Sequence, residues 1–183
     1  MANKPKRIII LQGGENIEAK TNKNLFKQVL ILSKTKNILV IPWTTDNPEK
    51  EKKYRKIIEN YFKETGFKKT IFLEKNDTPQ KTAEKFNQAD IIYLPGGNPQ
   101  ILYSEIKKRP HIETRLKEFK GIIIGNSAGA IVLSKGTYIN NKYQPGLALV
   151  NHYIKVHYIL INSNNTPKPT ICIPENHWIA IEQ

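Results

Sequence analysis

Short, continuously apolar runs that alternate with amphipathic segments constrain the fold of this chain more than any other feature. Buried strands are predicted at residues 7–12, 37–42, 69–74, 90–94 and 121–124. Helical spacing of apolar residues predicts helices at 24–33, 47–65, 78–87, 100–107 and 112–119. Strands that lack polar alternation are buried on both faces, which is typical of a parallel sheet covered by helices.

Beyond residue 136 the sequence predicts only short strands, at 137–140, 147–150, 153–160, 170–173 and 178–181. The chain contains no linker, internal repeat or low-complexity tract. We therefore expect residues 1–183 to form a single α/β domain. Its sheet should be doubly wound, mostly parallel and flanked by helices, in the manner of flavodoxin.

The 183 residues carry a formal net charge of +13, but the basic residues form no nucleic-acid-binding signature. Lysines are scattered and usually have glutamates between them, which favours a solvated surface, because nucleic-acid sites cluster Lys and Arg. No apolar run approaches the roughly 18 residues of a membrane span. A single cysteine, Cys172, excludes an intrachain disulfide, and no signal peptide is predicted. We therefore expect a cytoplasmic protein that binds neither nucleic acid nor membranes.

The stretch GIIIGNSAGAIVLSKG at residues 121–136 places a serine, Ser127, between a predicted strand and a helix. The G-x-S-x-G spacing suits a tight turn that projects the hydroxyl at the carboxyl end of the strand. Chemistry in open parallel sheets gathers at that edge, and the helix that follows supplies N–H groups and a partial positive charge. Ser127 is therefore the candidate nucleophile, and a plain strand–helix connection is the alternative.

A second glycine turn, LPGGNP at residues 94–99, follows another predicted strand. Glycines at a helix N-terminus let backbone N–H groups approach an oxyanion closely. The two turns predict an oxyanion hole made by the N–H of Ala128 and that of Gly96 or Gly97. Asn98 would contact substrate or cap the next helix. Trp43, at the end of another strand, would line the pocket or pack in the core.

A serine nucleophile needs a base, and the base needs an acceptor that orients it. Of the four histidines, His157 is expected to end a strand and is placed best to be the base. Only two acidic residues follow Ser127, and one of them, Glu182, lies next to the C-terminus. The other, Glu175, completes a predicted Ser–His–Glu triad. The alternative is a core histidine and a turn glutamate without this chemistry.

The segments IYLPGGNPQIL, GIIIGNSAGAIVLS, GLALV ahead of VHY, and IPENHW together resemble the peptidase E (aspartyl dipeptidase) family of serine peptidases. The likeness covers nearly the whole chain and extends more distantly to cyanophycinase and the class I glutamine amidotransferase-like fold. It implies a nucleophile at Ser127, a base at His157, an acid at Glu175, and oxyanion donors from Ala128 and the GGN turn. A glutamine amidotransferase would carry cysteine where Ser127 stands.

In that family an arginine from a longer loop after the histidine grips the aspartate of the substrate. No arginine follows Arg115 here, so Lys155 or Lys168 would have to supply the cation. We expect a serine peptidase that hydrolyses dipeptides or short peptides, with N-terminal aspartate as one possible preference. No HExxH motif, Cys/His cluster, Walker lysine or GxGxxG turn is present, so no metal or cofactor is expected. The alternative is a non-catalytic protein that binds peptides or small molecules on the same scaffold, and a homodimer is one possible assembly.

Overall fold

The computed structural model describes residues 7–159 and 170–183. Strands and helices alternate along most of this part of the chain, as the apolar runs predict. The elements are β1 (Ile8–Gln12), α1 (Lys23–Leu32), β2 (Asn37–Val40), α2 (Pro48–Thr65), β3 (Lys69–Phe72), α3 (Pro79–Asn87), β4 (Ile91–Leu94), α4 (Pro99–Lys107), α5 (Pro110–Glu118), β5 (Ile122–Asn126), α6 (Ala128–Leu133), β6 (Gly136–Ile139), β7 (Lys142–Pro145), β8 (Tyr153–Lys155), β9 (Thr170–Cys172) and β10 (Trp178–Glu182).

The larger of two sheets has six strands in the order β10-β1-β5-β4-β2-β3. Neighbouring strands are parallel except for β10, which runs antiparallel to β1. This confirms the predicted α/β fold with a mostly parallel, doubly wound sheet. Gln12 lies opposite Asn126, and Leu94 lies opposite Gly125. The carboxyl ends of β1, β5 and β4 therefore meet side by side, and the turns that follow them share one edge of the sheet.

Helices cover both faces of this sheet, which is why its strands are apolar on both sides. Helices α1 and α2 pack on one face, where Phe26, Phe62 and Tyr93 make edge-to-face ring contacts. Helices α3, α4, α5 and α6 pack on the other face through residues such as Leu102 and Leu116. Each such side chain contributes roughly 1.5–3 kcal/mol when it is fully buried. Among the residues that the structure describes, no helix is long and apolar enough to cross a membrane.

Local signals in the sequence determine where the helices begin and end. The side chains of Asn47, Thr78 and Asn98 each accept a hydrogen bond from the first turn of the following helix, and proline occupies that turn in each case. Gly66 ends α2 with φ 110°, a left-handed conformation that glycine adopts without strain. These ends lie within one or two residues of the predicted ones.

A smaller, four-stranded sheet in the order β7-β6-β8-β9 packs beside α6. The sequence did not predict β7, which forms an antiparallel hairpin with β6. The predicted strand at 147–150 is wrong. There the backbone bonds to the end of α6: the Leu147 N–H donates to Val132 O at 2.7 Å, and the Val150 N–H donates to Leu133 O at 3.0 Å. The predicted strand at 153–160 ends at Lys155, and residue 160 lies outside the described residues.

Candidate active site

Ser127 occupies a strained turn between β5 and α6. Its backbone has φ 47° and ψ −102°, and its N–H donates to Gln12 O at 3.0 Å. The flanking glycines are required by space: a Cβ at Gly125 would lie 2.5 Å from the Gly129 carbonyl carbon. A Cβ at Gly129 would lie 2.1 Å from Leu94 O. The helix can therefore approach the sheet closely, and the serine is held at its edge in a conformation that non-glycine residues rarely adopt.

His157 lies in the bend that follows β8. The sequence predicted that it would end a strand, and this prediction is wrong. Its φ is 51°, and its N–H donates to Gly13 O at 2.8 Å. The next residue, Tyr158, donates its N–H to Ile173 O at 3.2 Å. These two bonds tie the bend to the turn after β1 and to the segment after β9. The imidazole is thereby aimed back toward the edge where Ser127 lies.

Ser127, His157 and Glu175 form a continuous hydrogen-bonded chain. The Ser127 Oγ lies 2.7 Å from Nε2 of His157. On the other side of the ring, Nδ1 of His157 is hydrogen-bonded to Oε2 of Glu175. About half of each of the two latter side chains is exposed, 52% for His157 and 49% for Glu175. The arrangement lets the ring accept the hydroxyl proton on one nitrogen while the carboxylate fixes the other, as nucleophilic acyl transfer requires.

A pair of glycines after β1 supports the histidine and the glutamate, and the sequence analysis missed it. Gly14 lies directly beneath the pair, and a Cβ there would fall 2.3 Å from Oε2 of Glu175. Its carbonyl accepts the N–H of Asn176 at 3.0 Å, and the Gly13 N–H donates to His177 O at 3.0 Å. A signal was present in the sequence, since Gly13 and Gly14 follow the buried strand β1 much as the Pro-Gly-Gly run follows β4.

The glycine turn after β4 borders Ser127. A Cβ built at Gly96 would lie 3.6 Å from the Cβ of Ser127. Gly97 has φ 134° and packs against Thr44, whose carbonyl accepts the Asn98 N–H at 3.0 Å. A cavity of about 730 Å³ is lined by Gly97, Ala128, Ser127 and His157 together. We call it the nucleophile cavity, and its size lies within the roughly 300–1,000 Å³ typical of ligand sites.

The two predicted substrate contacts have structural roles. Oδ1 of Asn98 accepts the N–H groups of Gln100 and Ile101 at 2.9 and 3.2 Å, so its side chain caps α4. The prediction that Trp43 lines the pocket is wrong, because its side chain is fully buried. Its Nε1–H donates to Leu73 O at 3.2 Å, and the Arg109 guanidinium lies over its ring. Pro42 and Thr44, its chain neighbours, border a cavity instead.

Of the two lysines predicted to supply a cation, Lys155 lines the nucleophile cavity. Its Nζ lies 5.8 Å from the centre of the Tyr158 ring. Lys168 falls outside the described residues. The cavity that holds the triad therefore has one of the two predicted cations on its wall.

A group of polar side chains is buried behind the triad, between the sheet and α2. The Tyr61 hydroxyl donates to Oε1 of Glu15, and the Asn22 N–H donates to the same oxygen at 3.1 Å. Burial raises the pKa of Glu15, although the hydrogen bonds from Tyr61 and Asn22 oppose that shift. Burial, together with the nearby Glu15, also raises the pKa of Tyr93 well above its ordinary value. Burial therefore opposes ionisation of both groups behind the site.

Comparison with known proteins gives results for both sequence and fold. Residues 8–181 match the sequence model of peptidase family S51. None of the curated proteins is significantly similar to the chain. The fold is similar to that of a peptidase from an acI-B1 Actinobacterium, with a TM-score of 0.74 and 18% identity over 95% of this chain and 82% of that one. It is also similar to a protein assigned as a peptidase E from Listeria monocytogenes EGD-e, with a TM-score of 0.70 and 21% identity over 97% and 95% of the two chains.

Proposed function

The chain belongs to peptidase family S51, a family of serine peptidases, and we propose that it hydrolyses dipeptides or short peptides through Ser127, His157 and Glu175. One observation carries the assignment of these residues. The Ser127 hydroxyl lies 2.7 Å from Nε2 of His157, and the other ring nitrogen is hydrogen-bonded to the carboxylate of Glu175. This order of nucleophile, base and orienting acid is what amide hydrolysis by serine needs.

The reaction follows from these contacts. Nε2 of His157 takes the proton of Ser127 as Oγ attacks the carbonyl carbon of the peptide bond. Glu175 holds the ring so that Nε2 faces the hydroxyl, and its charge stabilises the imidazolium that forms. The imidazolium then donates its proton to the leaving amine, which departs and leaves an ester on Ser127. Water, deprotonated by the same nitrogen, hydrolyses the ester and regenerates the hydroxyl.

The oxyanion of each tetrahedral intermediate would be stabilised by backbone N–H groups. Ala128 is the first residue of α6 and lines the nucleophile cavity, so its N–H has no acceptor within the helix, and the dipole of the helix would add to its effect. The turn at Gly96 and Gly97 also borders Ser127 and would supply the second donor. Loss of one such donor costs about 3 kcal/mol of transition-state stabilisation in enzymes of this kind.

Lys155 supports a preference for substrates with an acidic N-terminal residue. It lines the nucleophile cavity, and its ammonium group could pair with an aspartate side chain of a bound peptide. A lysine provides a point charge without the fixed fork of an arginine, so we expect a modest preference for aspartate over asparagine. Comparing kcat/KM for Asp-Leu and Asn-Leu dipeptides, in the protein and in Lys155→Met, measures this preference.

The decisive experiment combines a dipeptide panel with covalent labelling. The protein should hydrolyse at least part of the panel and should react with a fluorophosphonate probe at Ser127. Ser127→Ala should lose both properties. Ser33→Ala is the matched control, because Ser33 bonds to Asp90 just ahead of β4, at the opposite edge of the sheet. If Ser127→Ala hydrolyses the panel as fast as the parent protein does, Ser127 is not the nucleophile. If the parent protein does neither, the chain is the non-catalytic binding protein considered above.

Location and assembly stay predictions. The single cysteine supports a cytoplasmic protein, and the scattered lysines support the absence of a nucleic-acid partner. A homodimer would be detected by light scattering during size-exclusion chromatography. Nucleic-acid binding would appear as an affinity that falls steeply with added salt.

A further inference from the structure

The loop between β1 and α1, residues 13–22, supports the triad from below, although the proposed reaction uses none of its side chains. We call it the support loop. The carbonyl of its first residue, Gly13, accepts the N–H of His157 at 2.8 Å. The carbonyl of the next residue, Gly14, accepts the N–H of Asn176 at 3.0 Å. Whatever fixes the backbone of this loop therefore also sets where the imidazole and the carboxylate of the triad meet.

Glu15 ties the support loop to α2 and closes the loop on itself. Its Oε1 atom accepts hydrogen bonds from the Tyr61 hydroxyl and from the N–H of Asn22, the latter at 3.1 Å. Tyr61 is 1% exposed on α2, and its ring packs edge-to-face on Phe26 of α1. Asn22 is the last residue of the loop. One oxygen atom therefore joins the start of the loop, its end and a core helix.

A second contact joins the support loop to the turn that carries the acid. The Thr21 hydroxyl donates to Oδ1 of Asn176 at 2.6 Å, and the N–H of Asn16 donates to Oγ1 of Thr21 at 3.2 Å. Asn176 follows Glu175 directly and has φ 58°, a left-handed conformation. The loop thus holds this turn through backbone and side chain at once, so a shift of the loop would displace the carboxylate of Glu175.

The burial of the Glu15 carboxyl group is unfavourable for folding alone. Its second oxygen, Oε2, is buried and makes no hydrogen bond to the residues that the structure describes. The amide of the neighbouring Gln12 is fully buried, and both of its polar atoms are likewise unpaired within the described part of the chain. Unpaired buried polar atoms lower stability, and such departures are expected close to functional sites. A polar side chain at position 15 is therefore better explained by what Oε1 does for the loop.

Resting on the proposed peptidase function, we propose that Glu15 is a positioning residue. Its Oε1 atom fixes the support loop, and the two glycines of that loop then hold His157 and Glu175 within hydrogen-bonding reach of each other. No residue of the support loop lines the nucleophile cavity, so Glu15 does not contact the substrate there. Loss of Oε1 should therefore lower kcat and leave KM nearly unchanged.

The test compares Glu15→Leu with its matched control, Glu15→Gln, on the best dipeptide of the panel at neutral pH. Leucine is close to glutamate in size but accepts no hydrogen bond, whereas glutamine keeps an oxygen where Oε1 lies. We expect Glu15→Leu to lower kcat on the order of tenfold or more with KM within about twofold of the parent value, because a small misplacement of a reacting group is costly. Glu15→Gln should retain about half or more of the parent kcat, since the acceptor is kept. The rate at which a fluorophosphonate labels Ser127 should follow kcat.

Tyr61→Phe tests the same oxygen atom even if Glu15→Leu folds poorly, because it removes a single hydroxyl. It should lower kcat about threefold in the parent protein and cause no further loss in Glu15→Leu, since the two changes remove one shared interaction.

Glu105→Leu is the control for the loss of a buried acid. Glu105 is 8% exposed on α4, accepts hydrogen bonds from Lys108 and Arg109, and does not line the nucleophile cavity. This variant should lose stability and keep the parent kcat.

The outcomes separate this inference from the proposed function. If the parent protein cleaves dipeptides and Glu15→Leu keeps its kcat, or raises KM alone, Glu15 is not a positioning residue while the peptidase function stands. Equal losses in Glu15→Leu and Glu15→Gln would assign the effect to the charge of Glu15 and would overturn the role of Oε1. Additive losses in the double variant would overturn it too. If the parent protein neither cleaves a dipeptide nor reacts with the probe, the proposed function falls and this inference falls with it.

Discussion

Gly14 lies so close beneath the His157 ring that a Cβ at this glycine would fall 2.4 Å from Cε1 of the imidazole. The same carbon would fall 2.3 Å from Oε2 of Glu175. The backbone at Gly14 is therefore the floor on which the histidine and the glutamate meet, and any side chain there must push one of them aside.

Gly14→Ala should impair catalysis without preventing folding. The added methyl group would shift the imidazole or the carboxylate, and misplacement of a reacting group by about 1 Å can cost on the order of 10²-fold in rate. We expect kcat on the best dipeptide to fall by about that factor, with the far-UV circular dichroism unchanged. Steady-state kinetics on the purified variant measure the effect.

Gly66→Ala provides the control for that variant. Gly66 ends α2 at φ 110°, away from the triad, so its replacement costs about 1 kcal/mol of stability through backbone strain. It should shift the urea midpoint and leave kcat as it was. If the two glycine variants lose activity in equal measure, crowding at the triad is not the cause.

Glu175→Gln should reduce the nucleophilicity of Ser127. The amide would still accept or donate a hydrogen bond, but it would not stabilise the imidazolium, and it permits the wrong ring tautomer. Replacement of the equivalent acid by an amide lowers kcat by up to about 10⁴-fold where the acid is buried. Glu175 is 49% exposed, so we expect a loss nearer 10²-fold, both in kcat and in the rate of fluorophosphonate labelling. Glu59→Gln, on the exposed side of α2, should change neither rate.

Glu15→Gln should raise stability at neutral pH relative to the parent protein. Burial raises the pKa of Glu15, so the folded protein binds this proton more tightly than the unfolded chain does. The free energy of unfolding of the parent protein should therefore fall as pH rises from the ordinary glutamate pKa through the raised one. Glutamine does not ionise, so the variant should lack this pH dependence. Urea unfolding should give the two proteins similar free energies of unfolding at pH 4 and should show the variant to be more stable at pH 8. Parallel curves would contradict a raised pKa.

Asp90→Asn should destabilise the protein at neutral pH and matter less in acid. The Asp90 carboxylate accepts bonds from the hydroxyls of Ser33 and Thr35, each at 2.7 Å, and from the N–H of Lys34. Burial opposes its ionisation, but the hydrogen bonds outweigh burial and hold its pKa below the ordinary value. The stabilisation is then present above about pH 4 and is lost as pH falls through the lowered pKa.

We expect Asp90→Asn to lose about 1 kcal/mol at pH 7, because a partly buried acceptor of several hydrogen bonds is weakened. The difference from the parent protein should shrink as pH is lowered from 4 to 2. Asp46→Asn, an exposed aspartate ahead of α2, should show no pH-dependent difference. A gap that stays constant across this range would argue against a lowered pKa at Asp90.

The parts of the fold that could be predicted are those with a local cause. The cap at Thr78 followed by Pro79 marks the start of α3 through contacts within four residues. The strand ending at Asn126 is apolar enough to require cover on both faces. The run at 147–150 shows the limit, because apolar residues such as Leu147 are buried by α6 while their backbone bonds to the end of that helix. Only the tertiary position of α6 distinguishes this arrangement from a strand.

The candidate site likewise has residues that local sequence signals predict and residues whose positions depend on tertiary contacts. Ser127 is marked by the small residues around it, because they permit the strained turn. The placement of His157 depends on Gly13 O and Ile173 O, which are distant in sequence, so its bend could not be foreseen. The sequence left Trp43 open between the pocket and the core, because a strand end can direct a side chain into either. The core position depends on contacts with Leu73 and Arg109, which come from other segments.

The pairing of β1 with β10 sets the order in which the site can be assembled. Ser127 leaves the ribosome well before the carboxylate that completes the triad, which arrives just ahead of β10. The segment that carries Glu175 is held against the turn after β1 by the bonds of Asn176 to Gly14 and of Gly13 to His177. The proposed triad therefore cannot be complete in a growing chain until that late segment has been synthesised and has docked on the first strand.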